Sequence, residues 1–265
     1  MKKWCFRGGC INFNRPFIMG ILNISPESFS GDGGGDAVSR ALSLIEQGAD
    51  IIDIGGCSTA PHHKEFVSEE TELSRVLPVV KELVGKVSMP ISVDTFRPNV
   101  ARAVAEVGVE IINDVSGIIN PEMAEVVKTF DCGWVITHTA DIVGENTSAE
   151  VRDTLKKMVK DAENLGVPVN NICVDLGIGF NKENKVSAHI IRDIETISAL
   201  PYPLMVGLSR KRVIGEYSGI ENAEKRDIPS LAANAYCAQR GGNIFRVHNV
   251  EINAQYFNTW GKING

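Results

Sequence analysis

No run in this 265-residue chain approaches the roughly 18 consecutive apolar residues that a membrane span needs. Basic charge is not in excess either: 27 Lys and Arg stand against 33 Asp and Glu, and the net charge of −6 argues against a broad grip on nucleic acid or an anionic membrane. A compact basic patch remains open. The opening stretch Met1 to Cys10 lacks the sustained apolar core of a secretory signal, so a cytoplasmic protein is expected. No CxxC pair occurs among Cys5, Cys10, Cys57, Cys132, Cys173 and Cys237. Three of these lie in or beside apolar strand-like runs, as small core residues do, so neither disulfides nor a zinc site are expected. GxSxG, HExxH and the Walker loop are absent, which leaves a site that works by positioning and electrostatics. There is no low-complexity tract, no close internal repeat and no break in composition that would mark a second domain.

What the chain does have is one recurring pattern, a short apolar run that ends in a polar residue. Phe17–Leu22 ends at Asn23, Ile91–Val93 at Asp94, Ile111-Ile112 at Asn113 and Asp114, Trp134–Thr137 at His138, and Ile172–Val174 at Asp175. Leu204–Leu208 runs into Ser209-Arg210-Lys211, and Ile244–Val247 carries Arg246 and leads to His248. Between these runs lie stretches with apolar residues at helical spacing: Ala37–Gln47 stopped by Gly48, a segment begun by Ser68-Glu69-Glu70-Thr71, Pro98–Glu106 stopped by Gly108, Pro121–Lys128, Ala149–Asn164, His189–Ile197, Pro229–Arg240, and a closing helix from Glu251. About eight strand-then-helix units result, the number that closes a parallel (β/α)8 TIM barrel, here as a single domain over 1–265. An open doubly wound sheet is the alternative. Residues 1–16 form an N-terminal extension, read as a hairpin turning at Gly8-Gly9 and covering the barrel bottom.

In a closed barrel the residues just past each strand converge on one mouth. That mouth would bring together Asn23, Asp94, Asn113, Asp175, Lys211, Arg246 and His248. Asp and Asn supply acceptors, and Asn donors too, that suit the edge of a planar heterocycle bearing amide and amino groups. Arg, His and Lys form an anion site fit for phosphate. Taken singly, each has a plain structural reading, since a buried Asp at a strand end is commonly a loop cap. Asp53, inside the apolar run Ile51–Ile54, needs a partner if it points inward. Arg246 and His248 alternate with Phe245 and Val247, so both face one side of their strand.

The ordered set Met19–Ser30, Asp53-Ile54-Gly55-Gly56-Cys57-Ser58-Thr59, Ser92–Thr95, Ile112–Gly117, Asp175-Leu176-Gly177-Ile178-Gly179-Phe180, Ser209-Arg210-Lys211 and Arg246–Asn249 resembles the motifs of the dihydropteroate synthase family. That family has a TIM barrel fold. The resemblance implies a transferase of folate biosynthesis that condenses 6-hydroxymethyl-7,8-dihydropterin pyrophosphate with p-aminobenzoate, releases pyrophosphate and uses Mg2+. It implies that Asp94, Asn113, Asp175 and Lys211 hold the pterin, and that Thr59, Arg246 and His248 handle the pyrophosphate. Asn23 would serve the metal, and Phe180 and Pro61 would line the aminobenzoate pocket. Lys211, Arg246, His248 and Asp94 form the implied catalytic set, and a homodimer through late helices is implied; Leu231, Ala232, Ala235 and Ala238 fit a small-residue face for it and fit core packing against the barrel equally well.

The chain departs from the family pattern in its loops. Ser58-Thr59-Ala60-Pro61 stands where Ser-Thr-Arg-Pro is usual, Thr137-His138-Thr139 where Met-His-Met is usual, and Asn249 where Asp is common. Two alternatives therefore stay open: a pterin-binding methyltetrahydrofolate methyltransferase, and a catalytically silent pterin-binding paralogue.

Overall fold

The structure is a computed structural model that describes residues 2–24, 37–57, 67–142 and 146–264. The chain starts with a hairpin of β1 (Lys3–Phe6) and β2 (Gly9–Asn12), and then runs through β3 (Phe17–Asn23), α1 (Ala37–Glu46), β4 (Ile51–Gly55), α2 (Glu69–Leu83), β5 (Ile91–Asp94) and α3 (Pro98–Val107). It continues with β6 (Ile111–Asp114), α4 (Pro121–Phe130), β7 (Gly133–Thr137), α5 (Thr147–Asn164), β8 (Ile172–Asp175), α6 (Asn184–Arg192) and α7 (Ile194–Ser198). The last elements are β9 (Leu204–Val206), α8 (Arg212–Ser218), α9 (Asp227–Ala238), β10 (Ile244–Val247) and α10 (Val250–Asn264). Strands β3 to β10 are all parallel and close on themselves, β10 pairing with both β9 and β3, so the eight-unit count corresponds to a closed barrel.

Most strands read as unbroken apolar runs because both faces are buried, and alternation splits them into two cores. Ile18, Ile52, Ile112, Trp134, Ile172, Leu204 and Phe245 point outward and pack under the helices. Their chain neighbours Met19, Ile51, Ile111, Val135, Cys173, Met205 and Ile244 form a separate cluster with Trp4 and Phe6 of the hairpin. Sequence spacing thus sends one residue of each strand into the barrel and the next against a helix. The hairpin plugs the barrel bottom: Trp4 is fully buried and its indole N–H donates to the Asn171 carbonyl at 2.8 Å. Gly133 makes room for it, since a Cβ there would lie 3.1 Å from the Trp4 ring.

Helix ends follow local chemistry. Ser68 caps α2 by accepting the Thr71 N–H, and Gly108 closes α3 with φ at 129°. The reciprocal half of a capping box is absent, because Thr71 stands where Glu or Gln would reach back. The expected helix His189–Ile197 is instead two, α6 and α7, broken at Asp193, with Ile190 buried before the break and Ile194 and Ile197 after it. Helix α8 has no counterpart in the expected element list. It is short, buries Val213 and Ile214, and ends at Gly219 with φ of 70°.

One expectation is corrected outright. Cys5 and Cys10 face each other in register across the hairpin, 4.1 Å apart at Cα, and are bridged. The turn creates that proximity, so CxxC spacing is no guide to it. Cys57, Cys132, Cys173 and Cys237 are buried thiols outside this bridge. Burial pushes the Cys132 and Cys237 thiols up to about 12, which leaves them unreactive. Unfolded, unreduced protein is therefore expected to titrate four thiols, and six after reduction; six without reductant would overturn the bridge. The closed loop is so short that Cys10→Ser should cost about 2 kcal/mol at most.

Candidate functional site

Above the apolar layer the inward positions turn polar, and there the strands build a charged network. Asp53 of β4 is fully buried; its Oδ1 accepts from Ser92 Oγ at 2.6 Å, and its Oδ2 accepts from Asn113 Nδ2 at 3.0 Å and from Arg246 Nε at 2.6 Å. Arg246 reaches on through Nη2 to Asp94 Oδ2 at 2.7 Å. One guanidinium on β10 thus bridges carboxylates on β4 and β5, strands that are neighbours of each other but not of β10. Residues 53 and 92, and 94 and 113, are register partners on adjacent strands, which is why side chains far apart in sequence meet. The partner that Asp53 requires is therefore threefold.

The network forms one wall of a cavity of about 560 Å³ at the carboxyl ends of the strands. Asn23, Asp94, Asn113, Asp175, Phe180, Lys211, Arg246 and His248 all line it. Thr59 and Pro61 lie outside the described residues, as does Ala60. Two buried atoms in this wall, Asp94 Oδ1 and Asn113 Oδ1, have no hydrogen-bond partner among the described residues. Leaving such acceptors unmet costs about 1–3 kcal/mol each, which a ligand carrying N–H donors would recover. Burial pushes the Asp94 carboxyl up to about 7 against the pull of Arg246, with Asp53, Glu72 and Asp114 adding to the rise.

Opposite this wall, the Asp175 carboxylate accepts the Gly177 N–H at 2.5 Å. Burial raises its pKa while Lys211 lowers it. Lys211 donates to the Ile178 carbonyl and lies 5.0 Å from the centroid of the Phe180 ring, a cation–π contact. Burial brings its ammonium down to about 8, with Asp175 opposing. The floor between Asp175 and Lys211 is Gly207; a Cβ there would sit 3.6 Å from Asp175 Oδ2 and 3.8 Å from Lys211 Nζ. A flat ring could therefore slide between the acceptor wall and the lysine.

Two basic residues near Lys211, Arg210 and His248, do not act as simple cations. Arg210 adopts a left-handed backbone (φ 61°) and turns away from Lys211, pairing twice with Asp227 at 2.7 and 2.9 Å. Asn249 donates to the same Asp227 carboxylate at 3.0 Å, a bond that an Asp at 249 could not make. His248 is neutral: burial, Arg210, Arg246 and Lys211 push it down to about 3. Ser209 Oγ accepts its backbone N–H at 3.1 Å and shares a 2.9 Å hydrogen bond with ring Nδ1. The imidazole thus offers a hydrogen bond to an anion and no charge. Sequence spacing marks Ser209 only as part of a motif and gives no sign of its bond to His248, of Asp227 or of the hub role of Asp53, for which a carboxylate in an apolar run is the visible signal.

A family model described as pterin binding enzyme matches residues 19–248. A dihydropteroate synthase of Streptococcus pyogenes is 38% identical over 243 residues, covering 89% of this chain and 91% of that protein. The Xanthomonas albilineans dihydropteroate synthase solved with 4-aminobenzoic acid superposes with a TM-score of 0.91 at 36% identity, covering 97% of this chain and 96% of that one. The same enzyme solved in complex with 7,8-dihydropteroate gives 0.89 at 35% identity, with 97% of each chain covered. A closed barrel whose mouth gathers these polar side chains, and likeness of this extent in sequence and structure, place the chain in the pterin-binding enzyme family, among the dihydropteroate synthases.

Proposed function

We propose that this cavity joins p-aminobenzoate to 6-hydroxymethyl-7,8-dihydropterin pyrophosphate, giving 7,8-dihydropteroate and pyrophosphate. The observation that carries the reading is the pair of unmet acceptors, Asp94 Oδ1 and Asn113 Oδ1, facing the same cavity as Asp175 and the Lys211 ammonium. A pterin edge has the amino and ring N–H donors that such acceptors need, and its carbonyl and ring nitrogens suit Lys211. In the reaction the methylene carbon loses its bond to the pyrophosphate oxygen and gains one to the arylamine nitrogen, which then releases a proton. Arg246 still has N–H donors beyond those given to Asp53 and Asp94, and these, with the His248 imidazole, would stabilise the charge that grows on the leaving group. Phe180 would give the aminobenzoate ring a flat apolar face.

Asn23 lines the cavity, and its amide oxygen, a hard neutral donor, would be one ligand to a Mg2+ ion held chiefly by the substrate phosphates and water. When bound, Mg2+ would neutralise charge on the pyrophosphate. A cytoplasmic homodimer completes the proposal. For the dimer, Ile228 on α9 is 67% exposed one helical turn from exposed Ala232, an apolar surface a second copy could cover.

The direct test is chromatography of dihydropteroate from purified protein, Mg2+ and the two substrates. Absence of product despite pterin binding would sink the synthase reading. A second measurement concerns Asp94. Its folded pKa is raised, so in the free protein a proton occupies the carboxyl as pH falls through about 7 and competes with the pterin N–H donors. Affinity for 6-hydroxymethyl-7,8-dihydropterin is expected to weaken by up to about tenfold per pH unit below that point, read by calorimetry. Asp94→Asn should bind weakly and show no such slope; a wild-type affinity flat across this window contradicts the assignment.

A further inference from the structure

The loop after β8 is stitched between two ammonium groups, the buried Lys182 and the half-buried Lys211, and only Lys211 belongs to the substrate site described above. Gly177, Gly179 and Asn181 adopt left-handed backbones, with φ of 63°, 84° and 46°, so successive carbonyls turn to alternate sides. The Ile178 carbonyl accepts from Lys211. The carbonyls of Gly177 and Phe180 accept from Lys182 Nζ at 2.9 and 3.2 Å, and the His138 carbonyl past the end of β7 accepts from the same nitrogen at 2.8 Å. All three donors of the Lys182 ammonium are thus committed, and the residue is 5% exposed. Burying an ammonium is costly, and a hydrophobic side chain of similar length would fill the space without that cost. What the ammonium adds is a joint.

That joint sits where the loop is tightest. A Cβ on Gly177 would come within 1.7 Å of the His138 carbonyl oxygen and 3.1 Å of Lys182 Nζ. The Gly177 peptide is gripped on both sides, its N–H by Asp175 and its carbonyl by Lys182. At the other end of the loop, Lys182 holds the carbonyl of Phe180, the residue whose ring lies beside Lys211.

We propose that Lys182 is a positioning residue: by holding the His138, Gly177 and Phe180 carbonyls it sets the loop that presents Phe180 to the aminobenzoate half of the cavity and whose Ile178 carbonyl anchors Lys211. The inference rests on the synthase reading for its kinetic test and on the loop geometry for its physical one. Its experiment compares wild type, Lys182→Met and Lys182→Arg by steady-state kinetics and by amide hydrogen exchange over residues 176–181. Lys182→Met is expected to raise KM for p-aminobenzoate roughly tenfold or more while kcat changes much less, and to speed exchange in that loop above the rest of the barrel. Lys182→Arg, which keeps donors and charge, should restore most of the KM. An unchanged KM with unchanged exchange overturns the proposal. So does an equal loss across KM, kcat and exchange throughout the barrel, because it marks a residue that only stabilises the fold. If Lys182→Met does not fold, Lys182→Gln, which retains two donors, carries the same readouts. Wild-type protein that binds pterin but makes no product would retire the synthase reading, and the exchange comparison would still decide Lys182.

Discussion

Arg246→Met should give a protein that is both less stable and nearly inactive. The substitution removes the one cation that bridges Asp53 and Asp94, whose side chains are 0% and 4% exposed, and leaves two carboxylates buried without it. Breaking a buried pair in this way costs about 3–5 kcal/mol, since the stranded charge cannot recover its hydration. The fold would relieve part of that by keeping a proton on Asp94, whose carboxyl burial already pushes up, and protonated Asp94 is a poorer acceptor for a pterin. Loss of the cation facing a departing anion adds about 10²–10³-fold in kcat by analogy with single oxyanion donors. Urea unfolding and the dihydropteroate assay read the two effects separately. Arg246→Lys divides them further: it keeps a charge near Asp53 and Asp94 and lacks the planar fork that reaches both, so stability should recover more than turnover. Turnover of Arg246→Met within about tenfold of wild type would remove Arg246 from the catalytic set.

Lys211→Met is expected to lower kcat/KM by about 10² or more and to weaken pterin binding, because the ammonium faces Asp175 across Gly207 and anchors the Ile178 carbonyl. Its depressed pKa of about 8 adds a pH signature. Between about 8 and the ordinary lysine value of about 10.5 the folded protein has lost a proton that the unfolded chain still holds. Stability from this group therefore rises with pH across that window. Activity that needs the ammonium falls over the same window, so a decline above pH 8 is not explained by unfolding of this origin. Lys182 is also brought down to about 8, chiefly by burial, and titrates alongside. Lys211→Arg separates the two: a decline that moves to higher pH in this variant belongs to Lys211, and one that stays in place belongs elsewhere.

Much of this architecture was legible before any coordinates. Apolar runs that end in polar residues and alternate with helical stretches are a local, repeated signal, and a count of about eight such units favours a closed barrel over an open doubly wound sheet. The alternation Arg246, Val247, His248 was enough to put the two polar residues on one side, and both line the cavity. Less legible was anything that depends on a side chain choosing among neighbours. Ser209-Arg210-Lys211 reads as two adjacent cations. One left-handed residue and the carboxylate of Asp227, 17 positions on, tie up the Arg210 guanidinium at the cavity edge and leave the Lys211 ammonium without a carboxylate of its own among the described residues. The Cys5–Cys10 bridge was missed for a similar reason, since register across a hairpin, and not spacing along the chain, sets the distance.

By itself, then, the amino-acid sequence determined the fold class, the order of the elements and the residues at the barrel mouth, because hydrophobic periodicity and strand-end polarity are properties of neighbouring positions. Only the tertiary structure decided how charge is shared there: that Asp53 is a hub for Ser92, Asn113 and Arg246, that His248 is neutral, that Arg210 serves Asp227, and that Lys182 grips three carbonyls. These outcomes depend on burial and on partners up to 193 positions apart, and electrostatic and hydrogen-bonding choices of that kind are made in three dimensions.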